Sequence, residues 1–186
     1  VPSAKALLVN STSIDLLTKG NYSHYEFLGA VENFFSKCAP AMFMGWSNLN
    51  FDRRMFHFNF FKGNRYPYAT HSSPNQEHDG LHIARAAQTL DPETLKTELT
   101  EAGNPSLALE SLSRMQGFDT SASHTAYVDA QNSLKVLRII RDKHKENWQT
   151  FLKTSTKASV ETILKSDGIY SIFENVKGRN MMYLVC

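Results

Sequence analysis

Apolar positions along this chain fall into blocks that switch between helical spacing and short strand-like runs. ALLVN, near the start, reads as a strand or extended arm; STS then offers capping hydroxyls before IDLL, a helical turn ended by Gly20. The stretch YSHYEFLGAVENFFSK sets Phe27, Leu28, Val31, Phe34 and Phe35 on one stripe, with Glu26, Glu32 and Lys37 off it. That spacing predicts a core-facing helix over 22–37. Pro40 breaks it, AMFMGW is an apolar run of strand length, and SNLN has the composition of a turn and cap. FDRRMFHFNFF then predicts an aromatic-rich helix over 51–61, on which Phe51, Met55 and Phe58 read as core, with base stacking as the alternative.

GNRYPYATHSSPNQEH has little periodicity and reads as a polar loop, after which DGLHIARAAQTL resumes helical spacing through Leu81, Ala84 and Leu90. PETLKTEL predicts a short helix capped by Asp91 with Pro92 in its first turn. A further helix is expected over 106–116, with Ser106 as cap, Leu107, Leu109 and Leu112 buried and Gly117 as stop. A long helix is expected over 124–145, where Ala126, Ala130, Leu134 and Leu137 make a small-residue end able to approach a sheet closely. GIYSIFENV and MMYLVC, separated by KGRN, predict two strands joined by a turn, and the change of pattern near Asp167 suggests a second domain.

Composition narrows the class. A chain of 186 residues suffices for one domain with a sizeable core and a piece of another. No apolar run approaches the roughly 20 residues of a membrane helix, so a soluble protein with no membrane partner is expected. Cys38 and Cys186 make neither a disulfide framework nor a thiolate metal site, which suits a reducing cytoplasm. A net charge of +2 does not announce a nucleic-acid binder, although KVLRIIRDKHK and FDRRMFHFNFFKGNRY are locally basic. Both ends read as cut: the start lacks an initiator methionine, and GRNMMYLVC stops inside an apolar run.

Two stretches carry candidate chemistry. In SHTAYVD, His124 and Asp129 lie five positions apart, so on one helix they would project roughly 140° away from each other. They converge only if Asp129 sits in the helix and His124 hangs over its first turn from the preceding loop. A neutral histidine there could take a proton from water while the aspartate holds a divalent metal; the bland alternative is a cap beside a surface carboxylate. In NLNFD, AMFMGW delivers Asp52 to a helix start at a strand's carboxyl end, where α/β folds place ligands. Its bland alternative is a charge favoured by the helix dipole. HDGLH imitates a zinc-protease motif with His78 and His82, but Asp79 is one methylene short for the usual base and no third ligand follows. Arg53, Arg54, Lys62 and Arg65 read as a solvated face able to track phosphates, and Lys135, Arg138, Arg141, Lys143 and Lys145 as the outside of a long helix.

Taken together, these stretches resemble the DEDD-type 3′–5′ exonucleases with a histidine general base, and within them the bacterial exodeoxyribonuclease I branch. NLNFD matches that superfamily's Asn-x-x-Phe-Asp motif, and SHTAYVD its closing His and Asp. EHDGLHIARAA looks like its Trp-Asp-Leu-Leu segment, and PSLALESLSRMQGF is similar to its Pro-Ser-x-x-Leu-x-x-Leu helix. ALLVNSTSIDLLTKG and the tail to Cys186 extend the likeness over nearly the whole chain, with strong signal from about Gly45 to Leu134.

The resemblance implies an α/β, ribonuclease-H-like exonuclease domain over 1–150, truncated at its amino end, with a linker and the start of an SH3-like β domain over 151–186. It implies hydrolysis of terminal phosphodiesters of single-stranded DNA, in repair or recombination, with two Mg²⁺ or Mn²⁺ ions. Asp52 and Asp129 would be metal ligands, His124 the base acting on water, Asp79 a structural hydrogen-bonding residue, and Asn48, Arg53, Arg54 and Ser106 contacts to the nucleic acid. The implied partners are a DNA 3′ end and a single-strand-binding protein, the implied state a monomer. One departure stands out: the family's first motif, Asp-x-Glu on a strand, occurs only as Asp91-Pro92-Glu93, which reads as a helix start. The motif is therefore expected upstream of Val1, and this chain alone is expected to be inactive. The alternatives are an RNA-trimming enzyme of the same superfamily and a non-catalytic nucleic-acid-binding or scaffold domain.

Overall fold

The computed structural model describes residues 3–9, 12–20, 22–120, 125–166, 168–176 and 178–186. Two short helices, α1 (Ala4–Val9) and α2 (Ile14–Thr18), lead into α3 (His24–Cys38), which starts in a capping box: Ser23 Oγ accepts from the Glu26 amide and Glu26 accepts from the Ser23 amide. The chain then alternates strand and helix through β1 (Met42–Gly45), α4 (Asp52–Lys62), β2 (Gln76–Asp79) and α5 (Gly80–Leu90). Next come α6 (Leu109–Met115), α7 (Ala126–Lys143), α8 (Lys145–Lys153), α9 (Lys157–Leu164) and the strands β3 (Tyr170–Val176) and β4 (Arg179–Val185). β1 and β2 pair in parallel with Gly45 opposite Asp79, and β3 and β4 form an antiparallel hairpin.

The main core lies where α5, α6, α7 and α8 converge: Ile83, Ala84 and Ala87 meet Leu112, Val136, Leu137, Ile140 and Phe151, and Phe173 of the hairpin packs against them. α5 contributes three alanines, which lets α7 come close. Gly80 matters for the same reason, because a Cβ there would stand 3.0 Å from the Gly45 carbonyl oxygen and 3.2 Å from the Trp46 ring. Leu28, Phe35 and Phe60 build a second cluster on the other side of β1, where the Phe35 ring meets Phe43 and Phe56 edge-on at 4.9 and 5.5 Å.

The α/β class, the β1 strand and the closing hairpin agree with the pattern of the sequence. Several local expectations do not hold. ALLVN is not extended: Ala4–Val9 is helical. PETLKTEL forms turns rather than a helix, because Thr94 and Leu95 are drawn into the core, where Gln88 bonds the Leu95 amide and Thr94 meets His144. Ser106 does not cap α6, whose N-cap is Ala108; the Ser106 amide donates to the Glu98 carbonyl instead. On α3, Leu28 and Phe35 are buried but Phe27 and Phe34 face outward. On α4 the stripe expected in the core is on the surface, with Phe51 67% and Phe58 61% exposed, and Phe56 and Phe60 pack inward in its place. The long helix ends at Lys143, where His144 breaks it and starts α8.

A buried histidine fastens α8 to the sheet. His78 Nε2 lies 2.8 Å from the Phe151 carbonyl oxygen, and His78 Nδ1 accepts from the Asp79 amide at 2.8 Å. Burial holds the His78 pKa below the ordinary value of about 6.5, despite the bond to Phe151. The fold thus favours neutral His78, while the unfolded chain binds a proton at the ordinary value. Stability is therefore fully present above about pH 6.5 and is lost as the pH falls through that value towards the lower folded pKa. Urea unfolding between pH 7.5 and 5 is expected to show this loss, and it should shrink in His78→Gln.

Candidate active site

The site is built around the turn that joins β1 to α4. Asp79, the last residue of β2, is fully buried at 0% exposure. One of its oxygens accepts from the Ser47 amide at 2.8 Å and from the Leu81 amide at 2.9 Å, and the other from the Leu49 amide at 3.4 Å. The same carboxylate therefore caps α5 and holds the β1–α4 turn. Such charge-assisted bonds let Ser47 sit at φ 58, a left-handed conformation that costs a non-glycine residue about 1 kcal/mol. This matches the structural role expected for Asp79.

From that turn α4 presents Asp52 to a cleft of about 1170 Å³. Its walls come from β1 (Phe43, Met44, Gly45), from Asn48, Asp52 and Phe56, and from α7 (Ala126, Asp129, Ala130, Ser133, Leu134). The structure thus brings Asp52 and Asp129, 77 positions apart in sequence, to one cavity. Asp129 lies in the first turn of α7, where the helix dipole favours a negative charge. The small residues of that helix line the cleft rather than seat it on a sheet. The cleft walls partly strip water from the Asp52 carboxyl and push its pKa above the ordinary aspartate value; the negative Asp79 and Glu77 add to the rise, and its backbone hydrogen bond opposes it.

The other expected site residues separate into groups. His124 lies outside the described residues, as do 121–123. Asn48 is buried in the cleft wall and donates from Nδ2 to Glu77 Oε1 at 3.1 Å. Arg53 is paired with Glu77, Nε to Oε2 at 2.8 Å, and is not among the residues that line the cleft. Arg54 is exposed on α4, and Ser106 lies in the loop before α6 and is not among the residues that line the cleft. His78 and His82 do not form a zinc site: His78 is engaged by α8 and His82 is exposed.

Glu77 and Trp148, which carried no expectation from the sequence, line the cleft, and so do Arg138 and Arg141, expected only as the outer face of a long helix. Arg138 and Arg141 extend the stripe Ala126, Ala130, Leu134 at spacings of four and three, and that periodicity was the available signal. In donor chemistry the cleft suits a hard divalent cation, since Asp52 and Asp129 offer carboxylate oxygens. In number it falls short. Both Glu77 oxygens are taken, and among the described residues no group of three or more His, Cys, Asp or Glu could hold a metal ion.

No protein-family profile matches the chain. The chain is 24% identical over 165 residues to exodeoxyribonuclease I of Haemophilus influenzae, covering 88% of this chain and 35% of the relative. It is 26% identical over 149 residues to exodeoxyribonuclease I of Escherichia coli, covering 77% and 30%. The chain thus spans about a third of the length of the curated relatives it matches. Its fold is that of the crystal structure of E. coli exonuclease I in complex with a dA16 oligonucleotide, with a TM-score of 0.80, 20% identity, and coverage of 87% of this chain and 35% of that one. Other matching structures are a zinc-bound form of E. coli ExoI with single-stranded DNA (TM-score 0.78) and an ExoI complex with SSB-Ct (TM-score 0.77), each 19% identical over 88% of this chain and 35% of that one.

The geometry around Asp79 yields a direct expectation. Asp79→Ala leaves three amides without their acceptor, and is expected to cost about 3 kcal/mol or more in urea unfolding. A cost below roughly 1 kcal/mol would show that the turn holds itself.

Proposed function

We propose that this chain forms part of a metal-dependent exonuclease that hydrolyses terminal phosphodiesters at the 3′ end of single-stranded DNA, in repair or recombination. The observation that carries this reading is the convergence of Asp52 and Asp129 on one cleft whose α7 wall also bears Arg138 and Arg141. The likeness to exodeoxyribonuclease I, and to the E. coli enzyme bound to oligonucleotides, supports it. So do the zinc-bound and SSB-Ct-bound relatives, which suggest a divalent cation and a single-strand-binding protein as partners. In this reading 1–150 forms the exonuclease unit, and 151–186 leads into an SH3-like one.

Each side chain then has a task. Asp52 and Asp129 are two of the donors for Mg²⁺ or Mn²⁺, which when bound supplies Lewis-acid stabilisation of the charge on the phosphate. Arg138 and Arg141, on the same helix as Asp129, attract the phosphate backbone without reading bases. His124, placed by sequence just ahead of the Thr125 N-cap of α7, takes the proton of the attacking water. Exposed Phe51 and Phe58 on α4 offer faces on which unpaired bases stack.

A second reading, a non-catalytic nucleic-acid-binding domain, is favoured by the absence of a three-donor cluster among the described residues. One assay separates the two: release of mononucleotides from the 3′ end of a single-stranded oligonucleotide, by protein purified from the gene that encodes this chain, with and without Mg²⁺. The enzyme reading expects Mg²⁺-dependent release that falls on the order of a thousandfold in Asp52→Asn and in Asp129→Asn. His124→Ala is expected to lose about a hundredfold while Mg²⁺ affinity is largely retained. Oligonucleotide binding with no release at any Mg²⁺ concentration would favour the second reading.

A further inference from the structure

Glu77 is a third carboxylate on the cleft wall, and both of its oxygens are engaged. It is buried on β2, where its Oε1 accepts from Asn48 Nδ2 at 3.1 Å and its Oε2 from Arg53 Nε at 2.8 Å. Asn48 and Arg53 bracket Asp52 in sequence, four residues before it and one after. Their backbones are also joined, since the Arg53 amide donates to the Asn48 carbonyl at 2.9 Å. One side chain of the sheet therefore grips both ends of the segment that carries Asp52. The helix start has no side-chain cap of its own: Phe51 occupies the N-cap position and offers no acceptor. A buried charge adds little net stability even when paired, so the consequence of placing one here is geometric.

Building on the cleft reading above, we infer that Glu77 is a positioning residue for Asp52, holding the first turn of α4 against β2 so that the carboxylate stays at the cleft. Glu77 does so through Arg53 and Asn48 and does not itself contact the ligand. The Arg53 guanidinium is held to Glu77 and does not line the cleft, whose basic side chains are Arg138 and Arg141.

Amide hydrogen exchange on the 186-residue chain tests this. In Glu77→Gln, which keeps an acceptor for Asn48 but loses the ion pair, amides of the 47–55 segment are expected to exchange about tenfold faster while those of α7 are unchanged. The paired exchange Arg53→Glu with Glu77→Arg rebuilds the ion pair in the opposite sense, and is expected to restore most of that protection. Mn²⁺-induced line broadening of the Asp52 resonance should weaken in Glu77→Gln and recover in the paired variant. Unchanged exchange in 47–55, or an equal rise in α7, would overturn the inference; so would a paired variant that restores nothing. If Asp52→Asn leaves Mn²⁺ broadening in the cleft untouched, the metal-ligand reading of Asp52 fails, while the exchange data still decide whether Glu77 holds the segment.

Discussion

Asp79 brings a carboxyl group into a position with no exposed surface, where three backbone amides converge on it. Two belong to the turn leaving β1 and one to the first turn of α5. The arrangement fixes where the strand pair ends, where α5 begins and in which direction the chain leaves towards α4. Gly80, one residue on, allows the start of α5 to sit against the Gly45 carbonyl. With α5 so placed, its alanines set the approach of α7, and that approach brings Asp129 to the cleft opposite Asp52. The cleft's geometry thus descends from one carboxylate that does not face the cleft.

Around that anchor the charges are divided by task. Glu77 in the cleft wall is paired with Arg53, and burial together with Asp79 and Glu77 raises the cost of ionising Asp52. In the proposed function, a cation in the cleft would offset that cost. On the facing helix, Asp129 occupies the dipole-favoured first turn, and Arg138 and Arg141 follow two to three turns later on the cleft side. In the proposed function, the reacting phosphate meets the acidic groups while the rest of the nucleic-acid backbone runs past the basic ones along α7.

The parts of this arrangement that sequence reading reached are those with a periodic or chemical signature. The β1 strand, the helix with Asp52 in its first turn, the small-residue stripe of α7 and the closing hairpin all follow from spacing alone. What it missed had no apolar signal. β2 reads Gln-Glu-His-Asp, yet three of its four residues are buried, because each polar group has a specific partner: Glu77 with Arg53 and Asn48, His78 with α8, Asp79 with three amides. No pattern of hydrophobicity announces a strand of that kind. The reverse error befell α4, where helical spacing placed Phe51 and Phe58 in the core although the face actually buried is that of Phe56 and Phe60. Aromatic residues on both faces of one helix leave periodicity unable to choose between them.

In the proposed function, the cleft between α4 and α7 receives the 3′ end of a single strand. Photo-crosslinking with an oligonucleotide carrying a 3′-terminal 4-thiothymidine, followed by peptide mapping, tests it most directly. Adducts confined to residues 43–56 and 126–141 are expected. Adducts concentrated on the β3–β4 hairpin or on α9, with none in those two segments, would contradict it.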